Sequence, residues 1–163
     1  MKVIASVASE TMKASYNAVM GAERHDKFSP EKRSEIMSRV RSGNTEPERA
    51  VRSALHKRGY RFRIHSKSLP GSPDIVLPKY KTAIFVHGCF WHQHPNCRKA
   101  TIPRTNTEKW EKKLSRNVSR DEKALSDLTA LGWFPIVIWE CELKKDLEGQ
   151  INALIDVIKS RLE

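Results

Sequence analysis

The apolar run Thr82-Ala83-Ile84-Phe85-Val86 leads without a break into His87-Gly88-Cys89-Phe90-Trp91-His92-Gln93-His94-Pro95-Asn96-Cys97. Three histidines, two cysteines and two adjacent large aromatics are not a core-packing set. A fold that accepts this segment must end a buried strand in a loop held by something other than apolar contact. Two thiols and an imidazole at such short spacing suit a tetrahedral metal site, and an exposed Phe-Trp pair on a basic chain suits insertion between bases. His87 and His92 are then left free for chemistry.

The metal reading takes Cys89, His94 and Cys97 as three ligands and Cys141, just beyond a later apolar run, as the fourth. This uses every cysteine in the chain and closes a Cys3His set, the form expected of structural Zn2+. Pro95-Asn96 favours the turn such a knuckle needs. The alternative is buried free thiols with surface histidines. Three cysteines cannot pair completely, so a disulfide framework is not expected, and the odd count suits a reducing, cytoplasmic setting.

Lys and Arg number 30 against 19 Asp and Glu, a formal charge of +11. That surplus calls for a polyanionic partner, nucleic acid first and an anionic membrane second. The membrane reading weakens because no apolar run approaches the roughly 18 to 20 residues needed to span a bilayer. Nor does the N-terminal stretch carry an apolar run of signal-peptide length. The 163 residues, at 39% hydrophobic content, suit one domain. Residues 1 to 25, weakly periodic, are expected to form a flexible arm, and residues 26 to 163 the domain.

A helix is expected from Ser29-Pro30 through Ile36, Met37 and Val40 to Ser42-Gly43, and a second from the capping box Thr45-Glu46-Pro47-Glu48 to Gly59. Tyr60 to Ile64 alternates like an edge strand. Leu69-Pro70-Gly71-Ser72-Pro73 turns the chain into Asp74-Ile75-Val76-Leu77, which should pair antiparallel with Thr82 to His87. Thr105-Asn106-Thr107-Glu108 can cap a long helix running to Gly132. Phe134 to Trp139 reads as a third central strand, and Leu147 to Leu162 as a closing helix. The expected fold class is α/β, a single domain with a central mixed sheet flanked by helices.

Asp74, at the start of its strand, should face the end of the neighbouring strand at Val86-His87. A carboxylate beside strand backbone suits Mg2+, and Glu48 could reach such an ion through water, although caps and surface bridges are the plainer roles for both acids. A histidine of near-neutral pKa, His87 or His92, can act as general base. Lys112, Lys113, Arg116 and Asn117 on the long helix could contact phosphates or base edges, or simply form a solvated face.

Taken together, LPGSPD (69 to 74), IFVHGCFWHQH (84 to 94), the pair Trp110 and Asn117, RD at 120 to 121 and IVIWEC (136 to 141) make the chain resemble the very short patch repair endonucleases, over roughly residues 25 to 145. The resemblance implies a fold like that of type II restriction endonucleases. It also implies an enzyme that cuts one strand of double-stranded DNA on the 5′ side of the thymine in a T:G mismatch, the product of 5-methylcytosine deamination. By the same resemblance Asp74 and the Val86 carbonyl hold Mg2+, His92 is the general base, His87 lies near the scissile phosphate, and Glu48 orients water on the ion. Cys89, His94, Cys97 and Cys141 match structural zinc ligands. Phe90, Trp91 and Trp110 match aromatics that wedge beside the mismatch, Met37 a residue inserted from the opposite groove, and Lys113 and Asn117 contacts to the mismatched bases. A monomer in the bacterial cytoplasm at the nucleoid is implied, with mismatch-repair proteins and a cognate cytosine-5 DNA methyltransferase system as further partners. Two other readings compete: a restriction-type nuclease that cuts both strands, and a zinc-stabilised DNA-binding module without catalysis.

Overall fold

The computed structural model describes residues 28 to 39 and 43 to 160. The expected arm, Val40 to Ser42 of the first expected helix and the end of the last one lie outside the described residues. The first helix, α1 (Pro30–Ser38), is capped by Ser29, whose side chain accepts from the Lys32 N–H. The second, α2 (Glu46–Lys57), opens with the expected capping box: Thr45 and Glu48 each accept from the other's backbone N–H.

The strands are β1 (Arg63–Ile64), β2 (Ile75–Leu77), β3 (Thr82–His87) and β4 (Phe134–Trp139), hydrogen-bonded in the order β1-β2-β3-β4. The first two pairings are antiparallel and β3 with β4 is parallel, so the sheet is mixed. A parallel neighbour needs a long crossover, and α3 (Thr107–Ala130) is that crossover. After β4 come α4 (Glu140–Lys145) and α5 (Leu147–Lys159).

Side chains alternate across a strand, and the core follows that period. Ile75, Leu77, Ile84 and Ile138 face Val51 and Leu55 of α2, Leu143 of α4 and Ile151, Leu154, Ile155 and Ile158 of α5. Ala83 and Phe85 point the other way, with Val137, towards Leu125 and Leu128 of α3. Helices therefore cover both faces, and a fully buried Leu55, Ile84 or Ile151 contributes about 1.5 to 3 kcal/mol each by leaving water. No helix among the described residues is long and apolar enough to cross a membrane.

Four expectations change. The strand expected over 60 to 64 shrinks to Arg63–Ile64, because only these residues pair with β2, while Tyr60 turns into the core against Tyr80, ring centroids 5.5 Å apart. β4 is an edge strand of the described sheet rather than a central one, since it pairs with β3 alone. The cap expected before α3 does not form through a side chain: Asn106 stands at the cap in the left-handed region (φ 56°), and Thr107 Oγ1 donates to the Arg104 carbonyl. The short α4 was not expected, because it starts on the residue that ends the strand.

Candidate active site and metal centre

The site lies at one end of the sheet. β3 and β4 both finish there, at the paired residues His87 and Trp139, and antiparallel β2 begins there, just after Asp74. Pro73, fully buried, fixes the entry of that strand. Asp74 Oδ2 accepts the Val86 N–H at 2.8 Å, which ties the carboxylate to the backbone of β3 as expected from sequence. Burial raises the Asp74 pKa above its ordinary value; the Val86 hydrogen bond opposes this and the nearby Glu48 carboxylate adds to it.

Glu48 is 3% exposed and heavily bonded. Oε1 accepts from the Thr45 N–H and hydroxyl at 3.2 and 2.8 Å, and Oε2 accepts from the Asn44 N–H at 3.0 Å. The cap and an approach to Asp74 are thus compatible uses of one side chain. Between the two acids stands His65, which the sequence reading did not single out. Glu48, His65 and Asp74 bring one ligand atom each within 4.8 Å of one another.

A second cluster joins His87, His92 and Asp121. The two imidazoles stack with centroids 3.8 Å apart and planes 9° from parallel. His92 Nδ1 lies 2.5 Å from Asp121 Oδ2, an ion-pair-length contact from the loop to α3. His87 is 6% exposed, and its burial, with the His92 charge next in size, depresses its pKa from 6.5 to about 3. It is therefore a neutral imidazole at any ordinary pH. Asp121 belongs to the RD pair noted in the sequence but received no role there. Its helical spacing from Trp110 and Asn117 places all three on one stripe of α3, the signal that could have found it.

A third cluster holds all four expected sulfur and nitrogen ligands. His94 Nδ1 is 3.6 Å from Cys89 Sγ and 3.2 Å from Cys141 Sγ, and Cys97 completes a set whose ligand atoms all lie within 4.8 Å of each other. Tetrahedral ligands at about 2.3 Å for sulfur and 2.0 to 2.1 Å for nitrogen would stand roughly 3.5 Å apart, so the donor set and its spacing fit zinc. Burial pushes the Cys89 thiol up to about 12, while the Lys99 N–H lowers that of Cys97. The loop itself is wound by the bonds His92 N–H to Gly88 O, His94 N–H to Cys89 O and Cys97 N–H to His94 O.

Trp139, also not foreseen, connects the clusters. Its ring stacks on His94 at 4.2 Å and meets His87 edge-on at 5.4 Å. On the far side of the loop Phe90, Trp91 and Trp110 pack together, centroids 5.0 to 6.1 Å apart and all half-buried. Lys113 Nζ lies over both indoles at 5.1 and 5.3 Å, and Asn117 Nδ2 donates to the Trp91 carbonyl at 3.0 Å. Lys113 and Asn117 thus brace the aromatic group in the free protein. Met37, on α1, is not joined to these clusters by any described contact. Among the described residues α1 packs extensively on no other element.

The arrangement juxtaposes acids suited to a divalent cation, an imidazole paired with a carboxylate, a cluster of three thiols and an imidazole, and an aromatic patch. The family model for the DNA mismatch endonuclease Vsr matches residues 25 to 99. The chain is 47% identical to the type II nicking enzyme V.XorIIP of Xanthomonas oryzae pv. oryzae, over 80% of this chain and 97% of that one. It is 44% identical to the type II nicking enzyme V.NmeAIP of Neisseria meningitidis serogroup A, over 82% and 96%. With the DNA mismatch endonuclease Vsr of Escherichia coli it shares 39% identity over 87% and 86%.

Proposed function

Because this chain belongs to the Vsr family of DNA mismatch endonucleases, hydrolases that act on DNA, we propose that it nicks one strand of a duplex 5′ to the thymine of a T:G mismatch, leaving a 3′-hydroxyl and a 5′-phosphate and so starting very short patch repair. Residues 26 to 163 carry this activity, in keeping with a family match that begins at residue 25. The names of two similar relatives, both nicking enzymes, favour a cut in one strand over restriction-type cleavage of both.

Asp74 and the Val86 carbonyl would hold Mg2+, with Glu48 reaching it through water; when bound, the ion neutralises charge developing on the scissile phosphate. Asp74 has Oδ2 tied to the Val86 N–H, which leaves Oδ1 to face the site. His92 takes the proton of the attacking water. For that its Nδ1 must carry the hydrogen and Nε2 the lone pair, the tautomer selected by an acceptor 2.5 Å from Nδ1, the Asp121 carboxylate. Asp121 is thus a positioning residue. His87, neutral and stacked on His92, offers an N–H towards a phosphate oxygen without the cost of burying a second cation.

Phe90, Trp91 and Trp110 enter the base stack at the mismatch, where unstacking is cheapest, and Met37 approaches from the opposite groove. Lys113 and Asn117 contact the mismatched bases from the same stripe of α3. Cys89, His94, Cys97 and Cys141 would hold structural Zn2+, fixing the loop between wedge and base.

The observation that carries this reading is the His92–Asp121 pair, one loop turn from the aromatic group and at the same sheet end as Asp74. His92→Ala tests it. The variant should bind a T:G duplex as the parent does, while nicking falls by about 10²- to 10⁴-fold, the usual worth of a general base. Nicking at the parental rate, or binding lost together with cleavage, would contradict the assignment.

A further inference from the structure

Nothing in the mechanism above uses His65, yet its ring occupies the space between the two acids. Nε2 lies 3.6 Å from Glu48 Oε2 and Nδ1 lies 3.9 Å from Asp74 Oδ1. Both separations are too long for hydrogen bonds. The separation of Nδ1 from Asp74 Oδ1 is one that two ligands of a single ion can have, since donors about 2.1 to 2.2 Å from a six-coordinate cation stand roughly 3 Å apart when adjacent and just over 4 Å apart when opposite. Asp74 has committed Oδ2 to the Val86 N–H, so its Oδ1 is left facing the imidazole, while the Glu48 oxygen on that side, Oε2, already accepts the Asn44 N–H at 3.0 Å and lies 3.6 Å from Arg52 Nη2, in keeping with a reach to the ion through water.

The backbone delivers the ring at a cost. His65 has a φ of 45°, in the left-handed region that non-glycine residues seldom adopt, and it is held there by its N–H bonded to the Asp74 carbonyl at 3.3 Å. Gly43 adjoins the other side of the ring; a Cβ there would stand 3.4 Å from Cε1. An imidazole in an ordinary loop needs neither feature.

We infer that His65 is a ligand, through one ring nitrogen, of the divalent cation held at Asp74 beside Glu48, so that the site is a mixed nitrogen and oxygen site. The inference rests on the reading of Asp74 as a cation ligand. An imidazole donor strengthens binding of Mn2+ and later transition ions more than that of Mg2+, because affinity at nitrogen donors rises along the first-row series while Mg2+ favours oxygen.

The test uses the full-length, zinc-loaded protein with Mn2+ as probe, read by electron paramagnetic resonance. Pulsed measurement of the parent should show nitrogen modulation from one coordinated imidazole, and His65→Gln should remove it. The same variant should bind Mn2+ about tenfold or more weakly, with a smaller loss for Mg2+ measured by competition. Mn2+ that depends on Asp74 but shows no modulation, or modulation that persists in His65→Gln, overturns the assignment of His65 and leaves Asp74 as a ligand. Equal Mn2+ affinity in the parent and in Asp74→Asn overturns the underlying cation site, and His65 with it. The parental measurement needs no substitution, so a folding defect in a variant does not decide the result.

Discussion

Replacing Asp121 with asparagine keeps the size of the side chain and removes its charge, which isolates what the carboxylate does for His92. The pair is mostly shielded from water, the side chains 24% and 19% exposed, and the contact is 2.5 Å long. A hydrogen bond to a charged partner contributes about 1.5 to 3 kcal/mol, and the charge counts most in the transition state, when His92 becomes an imidazolium. At about 1.4 kcal/mol per decade this predicts a 10- to 150-fold fall in the nicking step. If the asparagine amide instead donates to Nδ1, the wrong tautomer is selected and the loss grows towards that of His92→Ala. The assay is single-turnover nicking of a T:G duplex with enzyme in excess, beside the dissociation constant for the same duplex. The rate should fall while affinity stays within about twofold, and Asp121→Glu should recover part of the rate. A variant that nicks within threefold of the parent would refute the positioning argument. So would one that loses affinity and rate together, since that outcome marks a structural contact between loop and α3.

Two further outcomes follow from the other clusters. Cys141→Ser should lower bound zinc, measured by elemental analysis of the purified protein, and lower the melting temperature, because one of four closely spaced ligands is lost; unchanged zinc stoichiometry would sink the four-ligand set. His87 should make the fold acid-sensitive. Its pKa is about 3 in the folded chain against 6.5 when unfolded, so between those values the unfolded chain binds the extra proton and stability falls as pH falls. Going from pH 7.5 to 4.5 should cost about 3 kcal/mol from this residue, and His87→Gln should show that much less pH dependence in urea unfolding. Parallel pH profiles for parent and variant would contradict it.

What could be read from the chain was whatever residue type and short spacing encode. Thr45 and Glu48 form their box because both partners lie within one turn, and Leu69 to Asp74 spells a turn that delivers an acid to a strand. Cys141 was within reach although distant, because the knuckle lacked one ligand and the chain had one more cysteine. His65 and Trp139 were not legible as site residues, because each acts on a partner set by tertiary packing and nothing local marks it; Asp121 was marked only by its helical spacing from Trp110 and Asn117, and its partner His92 is set by packing. The position of β4 was misread for the same kind of reason. An apolar run shows that a strand is covered, but its neighbours depend on the crossover through α3. Lys113 and Asn117 were expected to face DNA, and in the free protein they also hold Trp91, a use that only the folded helix reveals.

The central claim is tested most directly by strand-resolved cleavage of two duplexes that differ in one base, T:G and T:A, with Mg2+ and then with chelator. The account predicts one nick, 5′ to the mismatched thymine, in the T:G duplex with Mg2+, and none in the T:A duplex or under chelation. Equal cutting of both duplexes, or cleavage of both strands, would contradict it.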